Sequence, residues 1–538
     1  MKPQMDRCML WTATSASARL VRGLRHVLGD DVGAHRIEAL PAGMQFLLFL
    51  AAMTVCCPQA KAVVHVAGIF GDNMVLQRDR EVPVWGSAGS GENVTVEVLG
   101  ITRSTTADTN GKWTVTIGPF PAGGPCDMKV HGSNTIVIRN ILVGDVWLCS
   151  GQSNMEWGVE KVAGAATEIP AADRPSLRLT TLGGTALTPQ DRLSARWITC
   201  SPQTVRSFSA VGYYFGRELH EHLKVPIGLI ANAIGASPIR AWISPDMQYA
   251  HPAFKETLED YKTYAERKKA YAEKRAAYET ALKRSKAEGT ATPPFPGFFE
   301  AMGDAPGVVY NARVHPLAPF AIRGVIWYQG ENEAIYHHAG TYKDFFPLLI
   351  QDWRRLWGQG DFPFLFVQLA PIGGHSKQPI ASPWAEVRDG QRRTLSLPNT
   401  AMVVTTDICE SALHPLKKTD VGKRLALAAR AVAYGEQVPY SGPILDRVEF
   451  RDGKGTVWFT HVDGGLVVKG SRLQGFAISG PDREFYWADA EINGQTVSVS
   501  SGKVSDPRAI RYAWGNNPDG NLFNKAGFPA SCFRTDDW

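Results

Sequence analysis

Short runs in which apolar and polar residues alternate occupy the chain between residues 63 and 140. Alternation with a period of two is typical of half-buried β-strands, and Gly-rich or Asn-Gly turns separate these runs. The clearest runs are VPVWG, NVTVEVLG, KWTVTIG and NTIVIRN. The pattern predicts a β-sandwich-like domain over residues 63–140.

Strands and helices alternate between residues 141 and 436. Buried apolar runs end in polar or Gly-containing loops, and stretches with helical periodicity lie between and after them. The strands are predicted within 226–242, 320–334 and 400–409, and the helices over 210–223 and 423–434. Alternation of this kind indicates an α/β fold with a parallel sheet covered on both faces by helices.

A charged segment interrupts this α/β domain and is predicted as a helical insertion over residues 250–290. Residues 254–288 contain no Gly or Pro, are dense in Ala, Lys, Glu and Arg, and repeat a tyrosine every seven residues. Two interpretations stay open. The segment is either a peripheral long helix or helical hairpin with a solvated face, or it is a lid or dimer contact.

The chain returns to β-type alternation from residue 437 to its end. The runs include TVWFTHV, LVVKG and TVSVSS, and Asp452-Gly453 and Asn493-Gly494 form turns between strands. The pattern predicts a C-terminal β-rich domain over residues 437–538.

An apolar stretch precedes the first strands. MQFLLFLAAMTVCC, residues 44–57, has the length of a signal-peptide core and is too short to span a bilayer as a stable helix. Ala60-Lys61-Ala62 fits the small-x-small cleavage pattern, so residues 1–62 are interpreted as a signal peptide with an N-terminal extension. The prediction is a periplasmic or secreted protein that begins near Val63 and has no stable membrane insertion. A buried helix of a folded domain is the alternative.

Composition and charge exclude several classes of protein. With 44% hydrophobic and 20% charged residues, the 538-residue chain is typical of globular proteins. The formal net charge of +5 is small for this length, so nucleic acid is not an expected partner. No cysteine or histidine spacing matches a metal-binding pattern. No metal site and no cofactor are predicted, and the oligomeric state stays open.

The stretch GDVWLCSGQSNMEW, residues 144–157, carries the candidate chemistry. An apolar run ending at Cys149 predicts a buried strand, and Ser150-Gly151-Gln152 breaks it directly before Ser153. Ser153 is therefore placed on a turn at the carboxyl end of a strand, where ligands bind in open parallel sheets. On this placement alone the serine is either a nucleophile or a helix cap.

The string Gly-Gln-Ser-Asn-Met resembles the first sequence block of the SGNH-type carbohydrate O-acetylesterases, above all the sialate O-acetylesterase family. The resemblance extends from GDNMVLQRDREVPVWG, residues 71–86, to the C-terminal tail. It implies an SGNH-hydrolase-like parallel sheet flanked by the two β-rich regions, with Ser153 as the catalytic nucleophile.

The resemblance also implies a catalytic base. The family carries its histidine in a His-Pro block followed by Lys and a Val-Gly-x-Arg-Leu-Ala helix, and His414 begins a run that matches it. Family members often have an aspartate two or three residues before this histidine, where this chain has Ala412 and Ser411. The nearest carboxylates before His414 are Asp407, at the end of the preceding strand, and Glu410. Asp407 is therefore expected to orient His414, with Glu410 or a Ser-His dyad as the alternatives.

Oxyanion donors in SGNH-type enzymes are the backbone N–H of the serine, a glycine on a second loop and an amide side chain on a third. By resemblance, the glycine corresponds to Gly235 and the amide to Gln329 or Asn332. The family usually has an asparagine where this chain has Glu333. Gln329 is therefore preferred over Asn332.

The function implied by the resemblance is a serine esterase that removes O-acetyl groups from sialic acid through an acyl-enzyme. The expected partner is thus an O-acetylated carbohydrate. An acetylxylan or other carbohydrate acetylesterase is the alternative within the enzyme class. A non-catalytic carbohydrate-binding protein on the same scaffold is the alternative from a different class.

Overall fold

Mostly antiparallel strands make up the beginning of the described chain, where only the short strand Val75–Gln77 pairs in parallel, with the strand Thr135–Gly151. The computed structural model describes residues 63–294, 296, 305–336 and 338–538, so the predicted signal segment and cleavage site lie outside it. The first strands are β1 (His65–Val66), β2 (Val75–Gln77), β3 (Val82–Ser87), β4 (Asn93–Val98), β5 (Ile101–Thr106), β6 (Lys112–Ile117), β7 (Gly123–His131) and β8 (Thr135–Gly151). One sheet has the order β1-β3-β6, and in a second β5, β4, β7 and β8 lie side by side.

The long strand β8 belongs to two regions of the molecule. Its first part pairs antiparallel with β7, and from Asp145 onward it pairs in parallel with strands of the central sheet. The predicted boundary between residues 140 and 141 falls inside this strand. As a result, the strand that leads to Ser153 is a direct continuation of the N-terminal β region.

Strands and helices alternate after β8. They are α1 (Ser153–Glu156), α2 (Ala165–Glu168), β9 (Arg174–Thr181), β10 (Ile198–Cys200), α3 (Ala210–Leu223), β11 (Ile227–Ala233), α4 (Pro245–Ala250), α5 (Lys255–Lys262), α6 (Tyr264–Glu288), β12 (Gly324–Tyr328), α7 (Glu331–Ile335), α8 (Tyr342–Trp357), β13 (Phe364–Val367), α9 (Pro383–Arg393), β14 (Thr400–Val403) and α10 (Lys418–Tyr434). Short 3-10 turns are Val159–Lys161, Ile239–Trp242, Pro252–Phe254, Ala339–Thr341 and Thr394–Ser396, and Tyr310–Val314 forms a π-helix. The central sheet has the order β10-β9-β11-β8-β12-β13-β14. Its neighbours are parallel except for β10, which is antiparallel to β9.

Helices cover both faces of this sheet. Trp327 pairs in register with Ser150, which lies three residues after Trp147, so the two tryptophans point to opposite faces. Trp147 packs against Phe215 of α3, with 5.0 Å between ring centroids. Trp327 packs against Trp353 of α8 at 6.0 Å. Helix α10 packs beside α3 and α9 beside α8, which confirms the predicted α/β fold.

The predicted helical insertion contains α5 and α6. Phe254, directly before α5, is fully buried and stacks on Phe345 of α8 with 4.2 Å between the rings. Most described side chains of α6 are exposed. The insertion is thus a long helix preceded by a short one, and its role as a lid or dimer contact stays a prediction. Within the described ranges, no helix is both long and apolar enough to cross a membrane.

Antiparallel sheets form the C-terminal region. Their strands are β15 (Ile444–Arg451), β16 (Lys454–Thr460), β17 (Leu466–Val468), β18 (Phe476–Ser479), β19 (Phe485–Trp487), β20 (Asp489–Asn493), β21 (Thr496–Ser500), β22 (Ala509–Tyr512), β23 (Leu522–Asn524) and β24 (Phe533–Arg534). Two of the sheets have four strands, in the orders β15-β16-β21-β20 and β19-β18-β22-β24, and β17 pairs with β23. The tail contacts the α/β part, because buried Arg388 of α9 donates to the carbonyls of Gly515 at 2.7 Å and Asn516 at 3.0 Å.

Candidate active site

A tight turn joins β8 to α1 and presents Ser153. Gly151 has a φ of +135°, and a Cβ there would lie 2.1 Å from the carbonyl oxygen of Tyr328 on β12. Only glycine fits this close approach of two strands. The next N–H, of Gln152, donates to the same carbonyl at 3.0 Å. Ser153 is the first residue of α1, and Gln152 rather than Ser153 holds the cap position.

The structure brings Ser153 and His414 together. His414 Nε2 lies 2.9 Å from Ser153 Oγ, although the two residues are far apart in sequence. The imidazole stacks on the indole of Trp157, with 4.4 Å between centroids and 17° between the ring planes. Burial lowers the pKa of His414, and the charge of Lys418 lowers it further. Both effects favour the neutral form of the ring, which is the form that accepts a proton.

The structure does not bring Asp407 to His414. Both carboxylate oxygens of Asp407 accept hydrogen bonds of 2.7 Å from the guanidinium of Arg424 on α10. Glu410 also points elsewhere and accepts the N–H of Leu416 at 3.0 Å. The expected Ser153–His414–Asp407 arrangement is therefore not formed, because the planar guanidinium of Arg424 takes both oxygens of Asp407. Among the described residues, no carboxylate hydrogen-bonds to His414.

Gly235 lies beside the nucleophile, as the resemblance implied. A Cβ built on Gly235 would be 3.6 Å from Ser153 Cβ. Its N–H donates to the carboxylate of Glu156, one turn after Ser153, at 2.8 Å. The Gly235 N–H is thus directed into the site, and the exposed Glu156 carboxylate accepts it.

The two candidate amides are placed differently. Gln329 is fully buried, and its Nε2 donates to the carbonyl of Ser237 at 3.1 Å and to Glu333 at 2.6 Å. Both amide hydrogens of Gln329 are therefore used. Asn332 Nδ2 donates to the carbonyl of Ala236 at 2.9 Å, directly after Gly235. This leaves Asn332, but not Gln329, with a second amide hydrogen.

Several side chains at the site had no role in the sequence interpretation. Gln152 Oε1 accepts the N–H groups of Gly330 at 3.2 Å and Asn332 at 3.3 Å, which ties the nucleophile turn to the third loop. Glu156 and Trp157 contact the predicted oxyanion donor and the base. Their only signal in the sequence was their position directly after the Gly-Gln-Ser-Asn-Met string. Within the described residues, no group of His, Cys, Asp and Glu side chains is arranged to hold a metal ion.

A family model agrees with this geometry. The model for carbohydrate esterases described as sialic acid-specific acetylesterases matches residues 143–287 and 307–431, which together make up half of the chain and include Ser153, Gly235 and His414. The chain belongs to this family. It is a carboxylic ester hydrolase of the carbohydrate esterase type.

Curated relatives and a solved structure extend the likeness beyond the matched ranges. The sialate O-acetylesterase of Mus musculus is 30% identical to this esterase over 495 residues, which cover 83% of this chain and 89% of the relative. The human sialate O-acetylesterase is 29% identical and covers 83% of this chain and 87% of the relative. A carbohydrate acetylesterase from Xanthomonas citri superposes with a TM-score of 0.75 at 36% identity, over 88% of this chain and 100% of that one.

Proposed function

We propose that this carbohydrate esterase hydrolyses O-acetyl esters through an acyl-enzyme formed on Ser153. The observation that carries the proposal is the 2.9 Å contact between Ser153 Oγ and His414 Nε2. His414 takes the hydroxyl proton as Oγ attacks the acetyl carbonyl, and it then returns that proton to the departing sugar alcohol. Water, deprotonated by His414 in turn, attacks the acyl-enzyme and releases acetate.

The oxyanion of each tetrahedral intermediate needs hydrogen-bond donors. The proposed donors are the N–H groups of Ser153 and Gly235 and the second amide hydrogen of Asn332. Asn332 is proposed in place of Gln329 because Gln329 has no amide hydrogen left. For Gly235 to donate to the oxyanion, the carboxylate of Glu156 has to turn away from it, and the exposure of Glu156 leaves room for that movement.

The proposed substrate is an O-acetylated sialic acid. The names of the curated mammalian relatives support this choice. The Xanthomonas citri enzyme, which has the higher identity, is described only as a carbohydrate acetylesterase. That likeness favours a second candidate, an esterase for acetylated xylan or another neutral sugar. The same catalytic residues serve either substrate, so the sugar-binding surface has to decide between them.

A substrate panel separates these candidates. Acetate release is measured from O-acetylated sialic acids, from acetylated xylan and from an aryl acetate that presents no sugar. A sialate esterase has the highest kcat/KM on the O-acetylated sialic acids. Faster hydrolysis of acetylated xylan at matched ester concentrations would contradict the proposed substrate while leaving the acyl-enzyme mechanism intact.

We also propose that the protein is exported and acts in the periplasm or outside the cell. Support comes from the apolar stretch at residues 44–57 and the small-x-small pattern at Ala60-Lys61-Ala62. Cell fractionation followed by amino-terminal sequencing tests this proposal. The expected result is exported protein that begins near Val63. Exported protein that retains residues 1–43 would contradict it.

A further inference from the structure

Three buried polar side chains lie beneath the nucleophile and the base. Asn154 follows Ser153 on α1, Glu331 is the first residue of α7, and Lys418 is the first residue of α10. None is more than 2% exposed. They come from three segments that are far apart in sequence, and each segment carries a group of the proposed mechanism or lies beside one.

Asn154 connects the other two. The ammonium of Lys418 donates to Asn154 Oδ1, and Asn154 Nδ2 donates to a carboxylate oxygen of Glu331. The same Nδ2 donates at 2.9 Å to the backbone carbonyl of Leu413, the residue directly before His414. Both hydrogens and the oxygen of the Asn154 amide are thereby used. The residue after the nucleophile therefore fixes the peptide that carries the base.

Burying the charges of Lys418 and Glu331 lowers the stability of the folded protein. Desolvation lowers the pKa of Lys418 to about 8 and raises that of Glu331. Glu331 Oε2 has no hydrogen-bond partner in the described part of the chain. Buried ion pairs are often no more stable than apolar side chains of the same volume. A stabilising role alone is thus a poor explanation for a lysine and a glutamate at this place.

We propose that Asn154 and Lys418 are positioning residues, which hold the loop before His414 in register with Ser153 where no carboxylate orients the imidazole. The inference rests on the proposed roles of Ser153 and His414. Trp157 fixes the plane of the ring by stacking, and Asn154 fixes the backbone from below. Lys418 in turn fixes the Asn154 amide in the orientation that donates to Leu413.

Lys418 also acts on His414 through its charge. The groups that face His414 are Ser153, the Trp157 indole and Lys418. Those that face Lys418 are Asn154, the Tyr328 ring at 5.1 Å, Glu331, Cys409 and Glu410. A nearby positive charge disfavours the imidazolium, so it lowers the pKa of His414. Loss of that charge raises the pKa, and the acidic limb of kcat/KM then moves to higher pH.

The test compares Lys418→Met with Lys417→Met. Lys417 is exposed and directly precedes Lys418, so it controls for the loss of one lysine charge at this end of α10. On an aryl acetate, Lys418→Met should lower kcat at least about thirtyfold with KM within about threefold, and should move the acidic limb upward. Lys417→Met should leave both unchanged. A folded Lys418→Met enzyme with kcat within about threefold of the unmodified enzyme and an unmoved limb would overturn the proposal.

Two further measurements keep the test decisive if Lys418→Met folds poorly. The double variant Lys418→Met/Glu331→Gln removes both buried charges, so it should recover thermal stability without recovering kcat; recovery of both would overturn the proposal. In the unmodified enzyme the acidic limb is expected below the ordinary histidine pKa of about 6.5, because burial and the charge of Lys418 both lower the pKa of His414. A limb above it would contradict this combined effect, and only the shift between the unmodified enzyme and Lys418→Met measures the share of Lys418.

Ser153→Ala distinguishes failure of the proposed function from failure of the positioning role alone. If Ser153→Ala stays active, the proposed function fails and the inference fails with it. If Ser153→Ala is inactive but Lys418→Met behaves like the unmodified enzyme, only the inference fails.

Discussion

At the scale of single residues, a histidine base needs one nitrogen free for the serine and a ring that is held in place. Here Nε2 of His414 faces Ser153 Oγ, and the Trp157 indole lies against the ring. Among the described residues, no carboxylate holds the imidazole ring in place. The ring is held instead by stacking on Trp157 and by the hydrogen bond from Asn154 to the carbonyl of Leu413, directly before His414.

The first prediction concerns Asp407. Asp407→Asn should change kcat on an aryl acetate by less than about threefold, because the carboxylate binds Arg424 and not His414. Steady-state kinetics of the purified variant measure this, with His414→Gln as the inactive control. A loss of about a hundredfold would show that Asp407 does orient the base.

The sequence predicted Ser153 and His414 as the nucleophile and the base, but not the residues that orient them. The two stand in distinctive strings, whereas Asp407 was chosen because it is close to His414 along the chain. Proximity in sequence does not show that Arg424, on the following helix, takes both of its oxygens. The hydrogen-bond partners of Gln329 could not be predicted for a related reason. Both amides donate to carbonyls of the second loop, and which of them keeps a second hydrogen depends on the turn before α7, which the spacing of residues does not show.

At the scale of secondary structure, the turn between β8 and α1 places the nucleophile. Gly151→Ala should prevent stable folding, since its φ is +135° and the added Cβ would lie 2.1 Å from the Tyr328 carbonyl. Gly235→Ala is the matched variant, because its Cβ would meet nothing nearer than Glu156 at 3.2 Å. It should stay folded and lose kcat/KM, since the methyl group narrows the space beside Ser153. Thermal unfolding and kinetics measure the pair; a stable Gly151→Ala enzyme would contradict this account of the turn.

Sequence patterns predicted the elements that have clear periodicity and missed those that lack it. Strand β5 was not predicted because most of its side chains, which include Thr102, Arg103 and Ser104, are exposed. Helix α8 contains Pro347, which is typical of a helix end rather than a helix interior. Its buried tryptophan and phenylalanine side chains pack on the sheet. The free energy gained by this packing exceeds the free energy lost with the hydrogen bond that the proline removes.

At the scale of the whole molecule, buried thiols make stability depend on pH. Burial raises the pKa of Cys200 and Cys532 to about 12 and that of Cys409 to about 11, and it also raises that of Cys149. An unfolded thiol ionises near pH 8.5. Above about pH 9, the unfolded chain therefore releases protons that the folded chain keeps, and the stability that these thiols contribute is lost as pH rises towards about 12. Lys418 opposes this between about pH 8 and about pH 10, since its folded pKa is lowered.

Arg388, whose pKa burial lowers to about 10, opposes the fall in the same way as Lys418. The free energy of unfolding should still fall between about pH 9 and about pH 11, because the buried thiols with raised pKa values outnumber these two cations, and buried tyrosines such as Tyr328, Tyr342 and Tyr512, whose pKa values burial also raises, act in the same direction as the thiols. Urea unfolding at the two pH values measures it. Cys200→Ala/Cys532→Ala should show a smaller fall than the unmodified protein. A free energy of unfolding that is equal or higher at the upper pH would contradict this prediction.

The pattern along the sequence changes from alternating strands to alternating strands and helices and back, and the strands and helices of the structure follow the same order. The predicted boundary between residues 140 and 141 lies inside β8, which is continuous from Thr135 to Gly151. Periodicity cannot place a boundary within one continuous strand. One strand serves both the N-terminal β region and the sheet that carries Ser153. Substitutions that destabilise the N-terminal strands are thus expected to disturb the position of Ser153.

The most direct test of the account is to trap the acyl-enzyme. The enzyme is mixed with an activated acetyl ester, quenched in acid during steady-state turnover and digested, and the peptide that contains Ser153 is analysed by mass spectrometry. The expected result is the mass of one added acetyl group on Ser153, absent in Ser153→Ala and formed more slowly in His414→Gln. Acetate release at the normal rate by Ser153→Ala, or an acetyl group on a different residue, would contradict it.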